Sequence, residues 1–376
     1  MAKFVRYGKT SSAKVQFHAL KKFIEYQLEN SYVDESTKIP KTIKLTGTVK
    51  VHGSNFGVSL SKDGLLRFQT RENFSNPEHN NFGNFRSLFI ETIGEEKLLE
   101  MLKPHLKDAD RVMIFGELFG QGVQKRVAVS HLPVSYMAFS FVRVYEKTFT
   151  EDVYHTIDNE KVIKHHKGDV YFEKENLDLD LLPSMPDLRF YKSTDFKMFE
   201  EVVNIYEFQK SYDKLMEHTL EVENRCPVGC SIDPDTENTI GEGIVWTGEL
   251  WLNGQPHFVK FKTKGDKHKR GKGSVKQKLE DSLTEEEKGA LNDFYEQALS
   301  VDRLEQGFEY FNANGLDIEM RNIPLYVKWI CNDVKEELYL ELTNLDNLGI
   351  ETRKVMKVVS KNASNYFIKR FNQSLN

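Results

Sequence analysis

The chain has 376 residues, enough for two or three domains that each bury a core of their own. With 39% hydrophobic and 29% charged residues it has the composition of a soluble globular protein and not of a disordered one. Its formal net charge of -5 excludes a protein that coats nucleic acid through overall positive charge, although a local basic patch is compatible with it.

The three cysteines do not form the framework of a disulfide-rich secreted protein. Cys226 and Cys230 have no matching second pair, so zinc is not expected. The opening residues, MAKFVRYGKTSS, lack the apolar core of a signal peptide, and no run of residues reaches the length of a membrane span. We therefore expect a reducing cytoplasm and no membrane partner.

The first two thirds of the chain read as a mixture of helices and strands. Residues 15–28 carry apolar side chains at helical spacing and predict an amphipathic helix. NFGVSLSKDGLLRFQTR predicts a hairpin that turns at residues 62–64. Further patterns predict the helix EEKLLEMLKPHL and the strands RVMIFGELFG, SYMAFSFVRVY, GEGIVWTGELWL and HFVKFKTK. Residues 151–235 give no clear pattern.

A basic segment separates this part from a helical one. From residue 260 to residue 278 there are nine Lys or Arg residues and a single acidic residue, Asp266. Such runs are usually solvated linkers, and contact with phosphates is the alternative. Beyond it, Thr284 and Glu287 form a capping box, and the patterns IPLYVKWICNDVKEELYLEL and ETRKVMKVVSKNASNYFIKRF carry apolar residues at helical period. We predict a mixed domain over 1–265, a basic linker over 266–279 and an all-α domain over 280–376.

One predicted strand, TIKLTGTVK, places a lysine beside a glycine-containing turn. Period-two alternation puts two groups of residues on opposite faces: Leu45, Gly47, Val49 and Val51 on one, and Thr46, Thr48, Lys50 and His52 on the other. The second face could simply meet water. The K-x-x-G spacing alone has little weight, because glycine is common enough to supply it by chance.

Three other strands repeat the pattern of a charge among apolar and small residues. Glu117 lies between Gly116 and Gly120, and a carboxylate in such a strand needs a partner. Glu242 lies between two glycines at the head of GIVW, and Lys260 and Lys262 share one face of FVKFKTK. Each feature alone is an ordinary strand decoration. Their combination favours one shared site.

The order of these motifs resembles the covalent nucleotidyltransferases, which include DNA ligases, RNA ligases and messenger-RNA capping enzymes. Lys50-Val51-His52-Gly53 is similar to their nucleophile motif. The histidine, the following Ser-Asn-Phe and the stretch FGELFGQGVQKRV resemble the RNA ligase 2 family, whereas DNA ligases generally carry aspartate at the histidine position. The resemblance covers residues 44–264. It implies an α+β ligase-type nucleotidyltransferase domain with antiparallel sheets, similar to the ATP-grasp fold, followed by the small all-α domain.

The resemblance also implies roles for individual residues. Lys50 would be the nucleophile that takes AMP from ATP, and Lys260 and Lys262 would neutralise the triphosphate. Glu117 and Glu242 would bind Mg²⁺ or Mn²⁺ or a ribose hydroxyl. The other implied ATP-site residues are His52, Gly53, Asn55, Arg71 and Phe139, the last as the ring that stacks on adenine. The implied RNA contacts are Asn55, Lys125, Lys264 and Lys267.

The reaction implied is the sealing of a 5′-phosphate RNA end to a 3′-hydroxyl end through lysyl-AMP and an adenylylated RNA. The expected partners are RNA ends, in nicked duplexes or broken structured RNA, and the expected state is a monomer. Ser140 and Val49 depart from the family pattern, which commonly has acidic residues at both positions.

Three alternatives stay open at this stage. A DNA ligase usually carries a small β-barrel after the last lysine motif, where this chain predicts helices, and the same feature disfavours a GTP-using capping enzyme. A non-catalytic RNA-binding module, in which Lys50 only contacts phosphate, is the third alternative. Phe139, by periodicity alone, would be a core residue.

Overall fold

We analysed a computed structural model, which describes residues 4–8, 10–29, 40–71, 73–75, 80–123, 126–157, 161–252, 255–265 and 284–374. The chain forms two compact units. The first comprises residues 1–8, 53–125 and 130–195, and the second comprises residues 9–52, 126–129 and 196–376. The predicted basic linker, 266–279, lies outside the described residues, and the predicted domain boundaries stay a prediction.

The helices and strands are numbered here in chain order. They are β1 Ser11–Ser12, α1 Ala13–Glu29, β2 Thr42–Lys50, β3 Ser54–Ser61, β4 Leu66–Thr70, α2 Asn80–Ile93, α3 Glu95–Leu106, β5 Arg111–Phe119, β6 Ser135–Thr148, β7 Val153–Ile157, β8 Lys161–His165, β9 Val170–Leu177, β10 Phe190–Lys192, β11 Met198–Asn204, α4 Phe208–Asn224, α5 Pro227–Ile232, β12 Gly243–Leu252, β13 Gln255–Lys264, α6 Glu285–Ala298, α7 Val301–Ala313, α8 Ile323–Glu337, α9 Tyr339–Asn347 and α10 Thr352–Ser374.

The first unit is built on a sheet of strand order β10-β6-β5-β3-β4, with β9 paired to β6. β3 and β4 form the predicted hairpin, and Gly64 at its turn has a φ of 79°, a conformation that favours glycine. Helices α2 and α3 pack their apolar faces on this sheet, and the shared core includes Phe56, Phe89, Leu98 and Ile114. β7 and β8 form a separate two-stranded sheet.

The second unit contains a five-stranded sheet of order β1-β13-β12-β2-β11. Every pairing is antiparallel except that of β1 with β13. The burial of β2 alternates as the sequence predicts, with Leu45 and Val49 buried and Lys50 on the opposite face. Helices α1 and α4 pack on this sheet, and the ring of Phe17 in α1 lies 5.5 Å from that of Phe261 in β13. One sheet face is therefore core, and the other carries the polar side chains.

The helical region, residues 285–374, has an apolar core of its own within the second unit. The predicted capping box is present, because Thr284 accepts a hydrogen bond from the Glu287 amide and the Glu287 carboxylate accepts one from Thr284. The predicted pattern IPLYVKWICNDVKEELYLEL forms two helices, α8 and α9, that meet at Leu338. In the part of the chain described, no helix combines the length and apolar character that crossing a bilayer requires.

Candidate active site

The candidate nucleophile lies in a row of residues that crosses three strands of the second unit. In the register of the sheet, Lys50 of β2 is paired with Gly243 of β12, and Gly243 is paired with Lys264 of β13. Paired residues on neighbouring strands project to the same face, and strands lie about 4.8 Å apart. Because Gly243 has no side chain, the two lysines flank a gap in the centre of this row.

Two parallel rows place the other lysines on the same face. Thr48, Val245 and Lys262 form the next row, and Thr46, Thr247 and Lys260 form the row after it. Lys260, Lys262 and Lys264 thus line one edge of the face that carries Lys50. The period-two spacing of KFKTK produces this arrangement. Lys50, Lys260 and Lys262 therefore share one face of the sheet.

A buried carboxylate joins the ends of these strands. Glu242, 2% exposed, precedes β12, and its Oε2 accepts a hydrogen bond from the Lys50 ammonium at 2.6 Å. Its Oε1 lies 3.0 Å from the Lys264 ammonium, and the His52 Nδ1 lies 3.4 Å from Oε2. Both carboxylate oxygens of Glu242 therefore face cationic partners, which offset the cost of burying its charge.

The charges of this cluster reinforce one another. Burial alone would raise the pKa of Glu242, but Lys50 and Lys264 outweigh it and hold that pKa well below its ordinary value. For His52 and Lys264, burial opposes the charged form, yet the Glu242 carboxylate prevails and raises the pKa of both groups. The Glu242 carboxylate thus lies between two lysine ammonium groups, with the His52 imidazole beside its Oε2.

Lys260 and Lys262 have a different environment. Burial lowers the pKa of each to about 8, because an ammonium loses hydration in the partly enclosed face. Lys262 also forms an ion pair of 3.1 Å with Glu337, the last residue of α8, and this carboxylate opposes the effect of burial. A phosphate beside these lysines would favour their charged form, because a nearby negative charge raises the pKa of a lysine.

A second group of predicted residues lies in the first unit. Asn55 of β3 is paired with Glu117 of β5, so their side chains share one face of that sheet. A Cβ at Gly53 would clash with the carbonyl oxygen of Leu118 and lie 2.8 Å from the Glu117 Cγ, so this approach requires glycine. Gly53, Asn55 and Glu117 therefore form one cluster.

Asn55 carries a polar atom that the described residues leave unsatisfied. Its Oδ1 is buried and has no hydrogen-bond partner among them, while its Nδ2 lies 3.5 Å from the Gly116 carbonyl oxygen. An unsatisfied buried polar atom costs about 1–3 kcal/mol. A hydrogen-bond donor on a ligand or a water molecule would remove this cost.

Phe139 and Arg71 both belong to the region of the first sheet: Phe139 lies within β6 and Arg71 directly follows β4. The pairing of β5 with β6 shifts between Phe115 and Gly116, which leaves Phe139 as the extra residue of a β-bulge. Bulges commonly redirect a side chain beside a functional site. The Phe139 ring is half-buried and lies 5.0 Å from the ring of Tyr7, so it also contributes to a core. Arg71 follows β4 directly and is exposed.

The comparison with protein families agrees with these motifs. A family model described as RNA ligase matches residues 43–262, which include Lys50, Glu242, Lys260 and Lys262. The chain belongs to the RNA ligase family. This membership confirms the resemblance to the RNA ligase 2 family and the α+β fold with a helical C-terminal region. No curated protein sequence matches the chain.

The sequence did not predict three contacts of the site, those made by Lys264, Glu337 and Glu309. Lys264 was expected to contact RNA, and its ammonium lies against Glu242 instead of facing open solvent. The KFKTK alternation already put it on the face of Lys260 and Lys262. Glu309 lies 3.9 Å from the His52 Nε2, and Glu337 pairs with Lys262. No sequence pattern indicates these two contacts, because each glutamate is far along the chain from its partner. Lys125 and Lys267 lie outside the described residues.

The residues present do not fit a metal site centred on Glu242. A magnesium ligand needs a carboxylate oxygen free to meet the ion, and both oxygens of Glu242 already face ammonium or imidazole groups. Among the described residues, no group of three or more His, Cys, Asp or Glu side chains could hold a metal ion. The metal roles of Glu117 and Glu242 stay predictions.

Proposed function

We propose that this member of the RNA ligase family uses ATP to join a 5′-phosphate RNA end to a 3′-hydroxyl end through a lysyl-AMP intermediate. The observation that carries the proposal is the position of Lys50. Its amine is hydrogen-bonded to the buried Glu242 and shares a sheet face with Lys260 and Lys262. A surface lysine that only contacted phosphate would not need a buried carboxylate partner.

The first step would be the attack of the Lys50 amine on the α-phosphorus of ATP. A nitrogen–phosphorus bond forms, the bond from the α-phosphorus to the bridging oxygen of the β-phosphate breaks, and pyrophosphate leaves with the electron pair. The ammonium must first release a proton, since only the neutral amine carries a free electron pair. Glu242 would hold the amine in position through the 2.6 Å hydrogen bond.

Lys260 and Lys262 would stabilise the negative charge that grows on the departing pyrophosphate. Both have pKa values near 8, lowered by burial, so near pH 7 most of each is charged and poorly solvated. Preformed cations in a partly dehydrated site stabilise a transition state without further reorganisation. We propose that Lys264, with its ammonium on Glu242, orients that carboxylate and does not contact RNA.

The second and third steps would use the same AMP group. The RNA 5′-phosphate attacks the phosphorus of lysyl-AMP and frees Lys50, which gives an adenylylated RNA end. The 3′-hydroxyl then attacks the 5′-phosphate, and AMP leaves. The unsatisfied Oδ1 of Asn55 supports a role for this residue in contacting the nucleotide or the RNA end.

We propose Mg²⁺ or Mn²⁺ as the cofactor that accompanies ATP. Such an ion would neutralise charge on the triphosphate oxygens. Because the Glu242 oxygens face cations, we assign this residue to the lysine cluster, and no step is assigned to a metal held by it. Glu117 keeps its predicted role, in which its carboxylate accepts a hydrogen bond from a ribose hydroxyl or binds an ion.

Labelled nucleotides test the proposal. We expect label on the denatured protein from ATP labelled at the α-phosphate, and none from ATP labelled at the γ-phosphate, in the presence of Mg²⁺. Label from GTP instead would indicate capping chemistry. If neither nucleotide labelled the protein covalently, the ligase proposal would be refuted and the non-catalytic RNA-binding module would be the remaining alternative.

Sealing assays on ends of known chemistry then separate RNA ligation from DNA ligation. We expect joining of nicked RNA with 5′-phosphate and 3′-hydroxyl ends and none with a 5′-hydroxyl. Equal or faster sealing of nicked DNA would favour the DNA ligase alternative.

A further inference from the structure

Four ion pairs among the described residues connect the helical region, residues 285–374, to the rest of the second unit. In all four, the basic side chain lies outside the helical region and the carboxylate lies on one of its helices. The pairs are Lys262 with Glu337 at 3.1 Å, Lys14 with Glu341 at 2.9 Å, Arg126 with Asp302 at 3.8 Å and His52 with Glu309 at 3.9 Å.

Two of these basic side chains, Lys262 and His52, belong to the candidate active site. Ser12 is paired directly with Lys262 in the parallel contact of β1 with β13, and Lys14 follows two residues later. The His52 Nδ1 lies 3.4 Å from Glu242. Arg126 is two residues from Ala128, whose amide donates to the Ile240 carbonyl oxygen just before Glu242. Lys262 and His52 thus connect the helical region to the residues around Glu242.

The carboxylates form an acidic surface with helical spacing. Asp302 and Glu309 are seven residues apart in α7, and Asp333 and Glu337 are four residues apart in α8, so each pair shares one side of its helix. Asp333 lies 3.5 Å from Arg303 and adds its negative field near Lys262. We call Asp302, Glu309, Asp333, Glu337 and Glu341 the acidic surface.

This contact differs from a hydrophobic domain junction. The core cluster of the helical region is composed of residues from 290 to 371 only, so the two sides do not share this core. Lys14 and Arg126 are exposed, and exposed ion pairs contribute about 0–1 kcal/mol each and are weakened by salt. At Lys262, burial outweighs the Glu337 carboxylate and still lowers the pKa of the ammonium. An anion of higher charge density can therefore compete with the acidic surface for the same cations.

We propose that Glu337 occupies the phosphate position at Lys262 in the nucleotide-free protein, and that the triphosphate of the nucleotide displaces it. The inference rests on the proposed function, because it requires a triphosphate at Lys262. A phosphate and the Glu337 carboxylate are both negative, so their simultaneous approach to one half-buried ammonium is opposed by like-charge repulsion. The acidic surface thus lowers the affinity of the site for nucleotide.

The substitution Glu337→Gln tests the competition while nearly preserving the shape of the side chain. Two quantities are measured: the ATP concentration that half-saturates lysine labelling, and the Kd of an ATP analogue that cannot be cleaved at the α-phosphorus. We expect both to fall about three- to tenfold, with the maximum extent of labelling unchanged. The difference from the unsubstituted protein should shrink as salt is added.

Glu336→Gln is the matched control, because this exposed neighbour on α8 loses the same charge. We expect its values to stay within about twofold of those of the unsubstituted protein. Glu309→Gln, at the longer contact with His52, should shift the two quantities in the same direction as Glu337→Gln but less. Thermal melting of each variant checks that the fold is retained.

The outcomes separate the inference from the proposed function. If the unsubstituted protein binds and transfers AMP but Glu337→Gln binds nucleotide equally or more weakly, the competition is refuted and the ligase function stands. A weaker affinity would show that Glu337 holds Lys262 in place for the phosphate. If the unsubstituted protein neither binds nucleotide nor becomes labelled, both the proposed function and the competition are refuted.

Discussion

The Lys50 ammonium and the Glu242 carboxylate meet across neighbouring strands, 2.6 Å apart, at the point where β12 begins. Glu242 is buried and also pairs with Lys264, so it fixes the position of the candidate nucleophile from one side of the site. The proposed reaction depends on this pair, because the Lys50 amine must be held in position before it can attack ATP.

Replacing Glu242 by glutamine should abolish or nearly abolish lysine labelling and destabilise the protein. The variant leaves Lys50 and Lys264 without their shared anion, and breaking a buried pair costs about 3–5 kcal/mol. Labelling and denaturant unfolding at pH 7 measure the two effects. Cys226→Ser is the control, since Cys226 takes no part in these ion pairs and its side chain caps α5. Equal losses in both variants would contradict the assignment of Glu242.

Lys260→Met should remove labelling but stabilise the protein near pH 7. In the folded chain the pKa of Lys260 is about 8, against an ordinary value of 10.5, so below pH 8 the folded protein carries a poorly solvated charge. The unfolded chain binds this proton more tightly, and the free energy of unfolding therefore rises with pH between about 8 and 10.5.

The gain in stability from Lys260→Met should be about 1–3 kcal/mol at pH 7 and should decline above pH 8. Chemical denaturation at pH 7, 8.5 and 10 measures this trend. A variant that is less stable than the original at pH 7 would show that the charge of Lys260 is well compensated in the folded protein.

Nucleotide affinity should weaken as pH rises through about 8. Lys260 and Lys262 can hold phosphate only when protonated, and burial places the pKa of each at about 8. A bound triphosphate should raise both values, so binding near pH 8 should take up protons. Calorimetry of a non-cleavable ATP analogue in two buffers of different ionisation enthalpy measures this uptake. Proton release, or none, would exclude these lysines as the phosphate ligands.

Gly53→Ala should destabilise the fold, because the added Cβ would meet the backbone carbonyl of Leu118 and the Glu117 side chain. Overpacking of this kind costs about 1–3 kcal/mol. Gly289→Ala is the contrasting control, because Gly289 lies in α6 and a Cβ added there would have no neighbour within 4 Å. This substitution should raise the free energy of unfolding by about 0.5–1 kcal/mol. If both substitutions changed the free energy of unfolding in the same direction, the predicted close packing around Gly53 would be wrong.

Short periodic patterns predicted much of the fold. The alternation of β2, the hairpin of β3 and β4 and the capping box of α6 are local features, and each is present where the residues indicate it. The break of the long pattern after residue 322 into α8 and α9 was missed, since Leu338 fits the apolar period of either helix. Tertiary packing decides such a boundary.

The candidate site was predicted in its residue types but not in its contacts. Alternation puts Lys260 and Lys262 on one face of their strand. Their position on the same face as Lys50 depends on which strands pair and in what register, and the sequence alone does not determine either. The partners of Lys264 and Lys262 depend on long-range packing, as the contact of Glu337 with Lys262 across 75 residues illustrates.

The most direct test of the central claim is to locate the AMP group on the protein. After incubation with ATP and Mg²⁺, the protein is digested and its peptides are sequenced by mass spectrometry, with Lys50→Arg as the matched variant that keeps the positive charge. We expect a single adenylylated residue, Lys50, and no adduct in the variant. An adduct on Lys260, Lys262 or any other residue, or undiminished labelling of Lys50→Arg, would contradict the assignment of Lys50 as the nucleophile.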